Sequence, residues 1–267
     1  MTHSTECNVR VLRDADEVSR VAADEITRRA NQVVRERGKF TVALSGGSTP
    51  KVLYTLLANS DAPYREQMPW GFTHFFFGDE RHVPPDHAQS NYCMAREAML
   101  SEVPVPAENV HRVTGENPDA RVAADDYERV LRDFFGTQPG AVPRFDLILL
   151  GVGADGHTAS LFPGTPALVE QSRFFVANWV KKSGSHRLTL TLPVINNAHA
   201  VMFLVAGKEK ADVLRSVLEV EHDDSSARFP ARLVHPVDGE LLWLVDEAAA
   251  IQLRFEALVG RVRAEAM

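Results

Sequence analysis

What most narrows the fold of this 267-residue chain is a rhythm: short apolar runs, most of them closed by glycine, alternate with stretches that favour helix. The runs are FTVAL (40–44), Phe72 to Phe77, Phe145 to Leu150, Ala200 to Val205 and Leu241 to Val245. Between them, Asp14 to Arg37 places Val18, Val21, Ala22, Ile26, Ala30, Val33 and Val34 on one helical face, and Gly38 follows where a C-terminal cap belongs. Further helices are expected from Thr49-Pro50 onward, near Asn91 to Leu100, over Asp119 to Phe135, from about Glu209 to Val220 and from about Asp246 to Val259. Strands alternating with helices predict an α/β fold, a mostly parallel sheet covered on both faces. Val110 to Val113 reads as a further short strand. Phe174 to Val180 and Leu188 to Leu192 have no helix between them, so they predict a hairpin or a sheet edge. Pro104 to Glu108, Thr137 to Pro143 and His222 to Ala227 read as the least ordered stretches.

The length fits one α/β domain spanning 1–267, and 45% hydrophobic with 24% charged residues is ordinary globular composition. A net charge of −7 without a basic stripe argues against nucleic acid as partner but permits a small anion where a few cations gather. The N-terminal stretch MTHSTECNVRVLRDADEV carries charges where a signal peptide needs an apolar core, and no run approaches membrane-spanning length. The expectation is a cytoplasmic protein without a membrane partner. Cys7 and Cys93 are read as free thiols, the second packed.

In open α/β sheets ligands bind beyond the carboxyl ends of the strands. Four such ends carry polar, glycine-containing loops: Ser45-Gly46-Gly47-Ser48-Thr49, Gly78-Asp79-Glu80-Arg81-His82, Gly151 to His157, and Gly207-Lys208-Glu209-Lys210. Consecutive N–H groups at 45–49 lead into a helix start and suit a phosphate, a carboxylate or a developing oxyanion. It is not a nucleotide P-loop, because the GK[ST] ending is absent. Asp79-Glu80-Arg81 offers a base, a metal ligand or an anion clamp; Glu80 reads best as a capping acid, Arg81 as functional. His74, His82, His87 and Cys93 lie close in sequence but match no ligand spacing of a closed zinc site, so no metal is expected. His157 is suited to act as a base near neutral pH, with Asp155 two residues earlier to orient its ring.

Gly151, Gly153 and Gly156 spell GxGxxG after an apolar run, the spacing of a dinucleotide turn. That motif needs a helix directly after its third glycine and an acid at the end of the next strand. Here Pro163-Gly164 interrupts the following segment, and Phe174 to Val180 runs into Lys181-Lys182. A nicotinamide or flavin cofactor is therefore not expected.

With these loops in place the chain resembles the 6-phosphogluconolactonase family, relatives of the glucosamine-6-phosphate isomerases and deaminases. The resemblance is carried in order by ALSGGSTPKVLY (43–54), FFFGDERHVPPDHAQSNYCMA (75–95), DLILLGVGADGHTASLFPGTPAL (146–168), RLTLTLPVINNAHAVMFLVAGKEKADVL (187–214) and PARLV (230–234). It implies a three-layer α/β/α sandwich with a Rossmann-like sheet, hydrolysis of a sugar-phosphate lactone and no cofactor. It also implies His157 as the base activating water, Asp155 beside it, and Arg81, Arg187 and Lys210 holding the phosphate or polarising the lactone. Lys210 rather than Lys208 fits the family's G-x-x-K-A pattern. The remaining substrate-binding candidates are Ser45, Gly46, Gly47, Ser48, Thr49 and Asp79, and the chain is expected to be a monomer or weak homo-oligomer. The deaminase relatives carry an Asn-Glu-Pro segment after Gly-His, whereas this chain continues Thr158-Ala159-Ser160 without a carboxylate. A non-catalytic sugar-phosphate-binding module is the other alternative, although no DNA-binding segment accompanies it.

Overall fold

The structure is a computed structural model that describes residues 7–138, 140–219 and 228–254. In chain order the main elements are β1 (Cys7–Leu12), α1 (Ala15–Arg37), β2 (Phe40–Leu44), α2 (Ser48–Ala58), α3 (Tyr64–Gln67), β3 (Thr73–Phe77), β4 (Asp79–Arg81), α4 (Asn91–Ala95) and α5 (Ala120–Phe135). They continue with β5 (Leu147–Leu150), β6 (Phe175–Val180), β7 (Ser185–Leu190), α6 (Leu192–Ile195), β8 (Ala200–Val205), α7 (Ala211–Leu218), β9 (Glu240–Asp246) and α8 (Glu247–Ala250).

Six strands form one parallel sheet in the order β1-β9-β8-β5-β2-β3. The interior strands β2, β5 and β8 are buried at every position, as a sheet covered on both faces requires. Alternation along β3 shows the two covers: Phe75 stacks on Trp70 beside α3, whereas Phe76 meets Phe134 and Phe135 of α5. The expected three-layer α/β/α sandwich is therefore present.

Helix α1 follows its sequence signals. The Asp14 carboxylate accepts from the Glu17 N–H at 2.8 Å, and Gly38 closes the other end at φ +80°. The chain leaves β2 for β3 on one side and returns through β5 to β8 and β9 on the other, so the order reverses between β2 and β5. A crevice opens at such a reversal, beyond the strand ends.

Two expectations, the hairpin and the helix near Asn91 to Leu100, are met with refinements, and two need correction. The predicted hairpin is present: β6 and β7 pair antiparallel and, with β4, form a separate sheet of order β4-β7-β6. Val110 to Val113 is not a strand; only Val110 bridges to Phe75, because one residue's pairing is all the loop offers the β3 edge. The helix expected over Asp246 to Val259 ends at Ala250, where the Leu253 N–H turns back to the Ala250 carbonyl; residues 255–259 lie outside the described residues. The segment near Asn91 to Leu100 is helical to Ala95 and then widens into a π turn over Arg96–Leu100.

Strand β1 was hidden by its mixed CNVRVL sequence, and β4 by its length of three residues. The helix from about Glu209 runs as a 3-10 turn into α7, and Val220 lies outside the described residues, as does the loop His222 to Ala227. Cys93 is buried and unpaired; the Cys7 side chain lies outside what is described.

Candidate active site

The loop leaving β2 reaches the crevice first. The buried Tyr54 hydroxyl accepts from the Ser45 N–H at 3.0 Å and donates to the Ser45 carbonyl at 2.8 Å, which anchors the turn. A side chain at Gly46 would place its Cβ 2.0 Å from Asn91 Oδ1, so only glycine lets the loop lie against α4. Gly47 then enters α2 at φ +111° with no side chain capping the helix. Among the described residues no side chain therefore caps the first N–H groups of this 11-residue helix.

The small sheet supplies charge by alternation. Asp79 pairs with Thr189 and Arg81 with Arg187, so these four side chains share one face, while Glu80 turns to the other. Glu80 there accepts from the N–H groups of Arg81, Asn91 and Tyr92 and from the Ser90 hydroxyl, at 2.7 to 3.0 Å. It caps α4, and its burial pushes its carboxyl above the usual range against the pull of those N–H donors. Asp79 is also buried, yet it lines the cleft and accepts from Ser160 Oγ at 2.6 Å and Asn91 Nδ2 at 3.2 Å. Arg187 is pulled below the usual guanidinium range by burial and then by the facing Arg81 charge, with Asp79 and Glu80 opposing.

The third loop presents His157. Gly153 N–H bonds the His157 carbonyl at 2.9 Å, and Gly156 N–H bonds the Gly153 carbonyl at 2.8 Å, closing a tight turn. Gly156 sits at φ +77° with Phe229 2.6 Å from where a Cβ would stand, so both conformation and space demand glycine. Asp155 bonds His157 Nδ1, and Lys182 Nζ lies 3.4 Å from the other Asp155 oxygen. Burial raises the Asp155 carboxyl, but the His157 hydrogen bond and charge, with Lys182, bring it below the usual range. Among the described residues no hydrogen bond engages Nε2.

The fourth loop contributes Lys210, whose ammonium reaches across to the Val152 carbonyl at 3.0 Å. Gly207, at φ +101°, is held by two bonds from its N–H to the Asp246 carboxylate.

One cleft of about 430 Å³ is lined by Ser45, Gly46, Gly47, Ser48, Thr49, Asp79, Arg81, His157, Arg187 and Lys210. Lys208 is not among its walls, and Asp155 stands behind His157 rather than in the cleft. Sequence reasoning missed Asn91, Ser160, Phe162 and Glu209, which also line it. Ser160 and Phe162 lie inside the 146–168 motif, but nothing in their residue types announces a role. Asn91 becomes visible only once Glu80 is seen capping α4.

The sequence-adjacent His74, His82, His87 and Cys93 do not converge. His74 Nδ1 pairs with His111 Nε2 at 3.3 Å, His82 Nε2 with the Asn117 carbonyl at 2.6 Å, and His87 Nδ1 accepts from the Gln89 N–H at 3.1 Å. Among the described residues no three His, Cys, Asp or Glu side chains gather as a metal site.

A parallel sheet whose switch-point cleft joins three cations, an open helix start and a His–Asp pair defines an α/β protein built to take a small anionic molecule. Residues 13–243 match the family described as glucosamine-6-phosphate isomerases/6-phosphogluconolactonase, and the chain belongs to that family. It is 43% identical over 245 residues to a 6-phosphogluconolactonase of Nostoc sp., covering 92% of this chain and 98% of the relative. It is 46% identical over 229 residues to one from Synechocystis sp., covering 86% and 91%. The solved structure of 6-phosphogluconolactonase from Trypanosoma cruzi superposes with a TM-score of 0.81 at 34% identity, covering 94% of this chain and 98% of the other.

Proposed function

We propose that this protein hydrolyses 6-phospho-D-glucono-1,5-lactone to 6-phospho-D-gluconate, the second step of the oxidative pentose phosphate pathway. The observation that carries the reading is His157, backed by Asp155, on the same cleft as Arg81, Arg187 and Lys210, in a chain whose relatives bear the lactonase name.

Lactone hydrolysis needs a water deprotonated as it attacks the C1 carbonyl, and donors for the oxygen that becomes negative. His157 Nε2 takes the proton while Asp155 holds Nδ1 and stabilises the imidazolium. As the tetrahedral intermediate collapses, the C1–ring oxygen bond breaks and the imidazolium returns its proton to the leaving oxygen. Arg81 and the Gly46-Gly47 N–H groups are the donors for the oxyanion. Arg187 and Lys210 hold the phosphate, which orients the distant carbonyl. Asp79, fixed by Ser160 and Asn91, is placed to meet sugar hydroxyls.

The test is an assay on freshly made 6-phosphogluconolactone with the spontaneous rate subtracted; no acceleration sinks the reading. A glucosamine-6-phosphate deaminase is the second reading, favoured only by the Asp79 carboxylate on the cleft. Against it, Thr158 to Pro163 brings no carboxylate after His157. Release of ammonia from glucosamine 6-phosphate would reverse the choice.

We read the chain as one domain, a monomer or weak homo-oligomer of the cytoplasm, acting without cofactor. No described helix is long and apolar enough to cross a membrane.

A further inference from the structure

We infer that Gly153 and Phe162 form a slot that fixes the His157 ring, and that Gly153 is glycine for the ring's sake and not for a phosphate's. The inference rests on the proposed function only in assigning catalysis to His157.

Three surfaces hold the imidazole. Asp155 bonds Nδ1. The Phe162 ring lies against its face, centroids 4.1 Å apart and planes inclined by 23°. Gly153 supplies the third: a Cβ there would stand 2.0 Å from both Cε1 and Nδ1 and 2.8 Å from Nε2. No atom larger than hydrogen fits between them.

The backbone explains how Phe162 arrives. Thr158 and Leu161 form an antiparallel bridge, with the Leu161 N–H bonded to the Thr158 carbonyl at 2.9 Å. His157 and Phe162 are the next residues outward on the two arms, so the bridge brings their rings together as a cross-strand pair. The two-residue turn between the arms needs a positive φ at its first position, and Ala159 adopts +45°. Ala159 is the sole non-glycine residue at positive φ among the described residues. The strain is held by the surroundings: Ser160 Oγ bonds Asp79, Ser160 N–H bonds Thr189 Oγ1 at 3.1 Å, and Thr158 Oγ1 bonds the Gly151 carbonyl at 2.9 Å.

Gly153 is a clean position to test, because it is absent from the positive-φ glycines and both of its turn hydrogen bonds use backbone atoms. Alanine is therefore compatible with the chain there, and what must move is the ring. A reacting group displaced by about 1 Å costs on the order of a hundredfold in rate. Gly153→Ala is expected to lower kcat by about that factor, with KM within about threefold and a displaced pH profile. Phe162→Leu, which keeps bulk and loses the flat face, is expected to lower kcat by less, and Phe162→Tyr to restore it. In parallel, NMR of the His157 ring, assigned by loss of its signals in His157→Ala, reads the slot without any substrate. The wild type should show a Cε1 proton shifted upfield by the Phe162 ring and a single Nδ1-bonded tautomer, both altered in Gly153→Ala.

If the wild type hydrolyses no lactone, the proposed function fails while the NMR comparison still decides the slot. Unaltered ring signals in Gly153→Ala overturn the slot whatever the assay gives. Unchanged kcat with a raised KM overturns it too, because Gly153 would then serve ligand approach.

Discussion

Arg81 and Arg187 stand directly opposite each other across the antiparallel β4–β7 pair, on the face that lines the cleft. Like charges so placed destabilise a sheet by a few tenths of a kcal/mol to about 1 kcal/mol. The arrangement is understandable where an anion binds between or beside the two guanidinium groups.

Removing one arginine should therefore relieve the empty protein and harm the loaded one. Arg187→Met is expected to melt at or slightly above the wild-type temperature in phosphate-free buffer, by up to about 1 kcal/mol of stability. Inorganic phosphate should raise the wild-type Tm more than that of the variant, because only binding to the folded form stabilises it. Equal shifts in a thermal titration would place the anion elsewhere.

His157→Ala should reduce kcat about 10²- to 10⁴-fold with KM little changed, and Asp155→Asn should fall short of that loss. The Asp155 carboxyl is held below its usual range, so its stabilising contribution is present at neutral pH and disappears as pH falls through the lowered value. Urea melts between pH 6 and 3 should show that component in the wild type and not in Asp155→Asn.

Glu80 is scaffold: the strand alternation that turns Arg81 toward the cleft turns Glu80 away from it. Its carboxylate satisfies three backbone N–H groups and the Ser90 hydroxyl, so Glu80→Ala leaves several buried donors unpaired. A loss of at least about 2 kcal/mol is expected in chemical denaturation. A neutral result would mean that α4 keeps its cap without Glu80.

The His74–His111 pair predicts acid sensitivity. His111 stacks on Phe76 at 4.2 Å, and burial followed by the His74 charge lowers it to about 4. The unfolded chain takes up this proton near pH 6.5 and the folded one only near 4, so stability falls as pH drops through that window. His111→Phe should flatten the fall in urea midpoints between pH 7 and 4.5; an unchanged slope would assign the acid sensitivity to other groups.

Much of this was legible in the chain because it is local. Asp14 and Gly38 bracket α1 by capping chemistry that acts within a few residues, and FTVAL and LILL are short buried runs bounded by turn residues, as strands of a sheet covered on both faces are. The glycine loops after them marked the cleft for the same reason. What failed was non-local. A three-residue strand such as Asp79–Arg81 has no periodicity of its own; it exists because β7, more than a hundred residues later, pairs with it. That pairing sorted one DER triplet into a cleft-facing Asp79 and Arg81 and a buried, capping Glu80.

The sequence by itself determined the alternation of strands and helices, the parallel sheet and the list of loops whose side chains meet at its strand ends. Those follow from periodicity and capping, which act over short distances along the chain. Only the tertiary structure decided that Arg187 faces Arg81, that Asp155 stands behind His157, and that Gly153 leaves room for an imidazole. Each of these depends on what packs against a residue, and packing partners here are brought together by the reversal between β2 and β5 or by a hairpin from a second sheet.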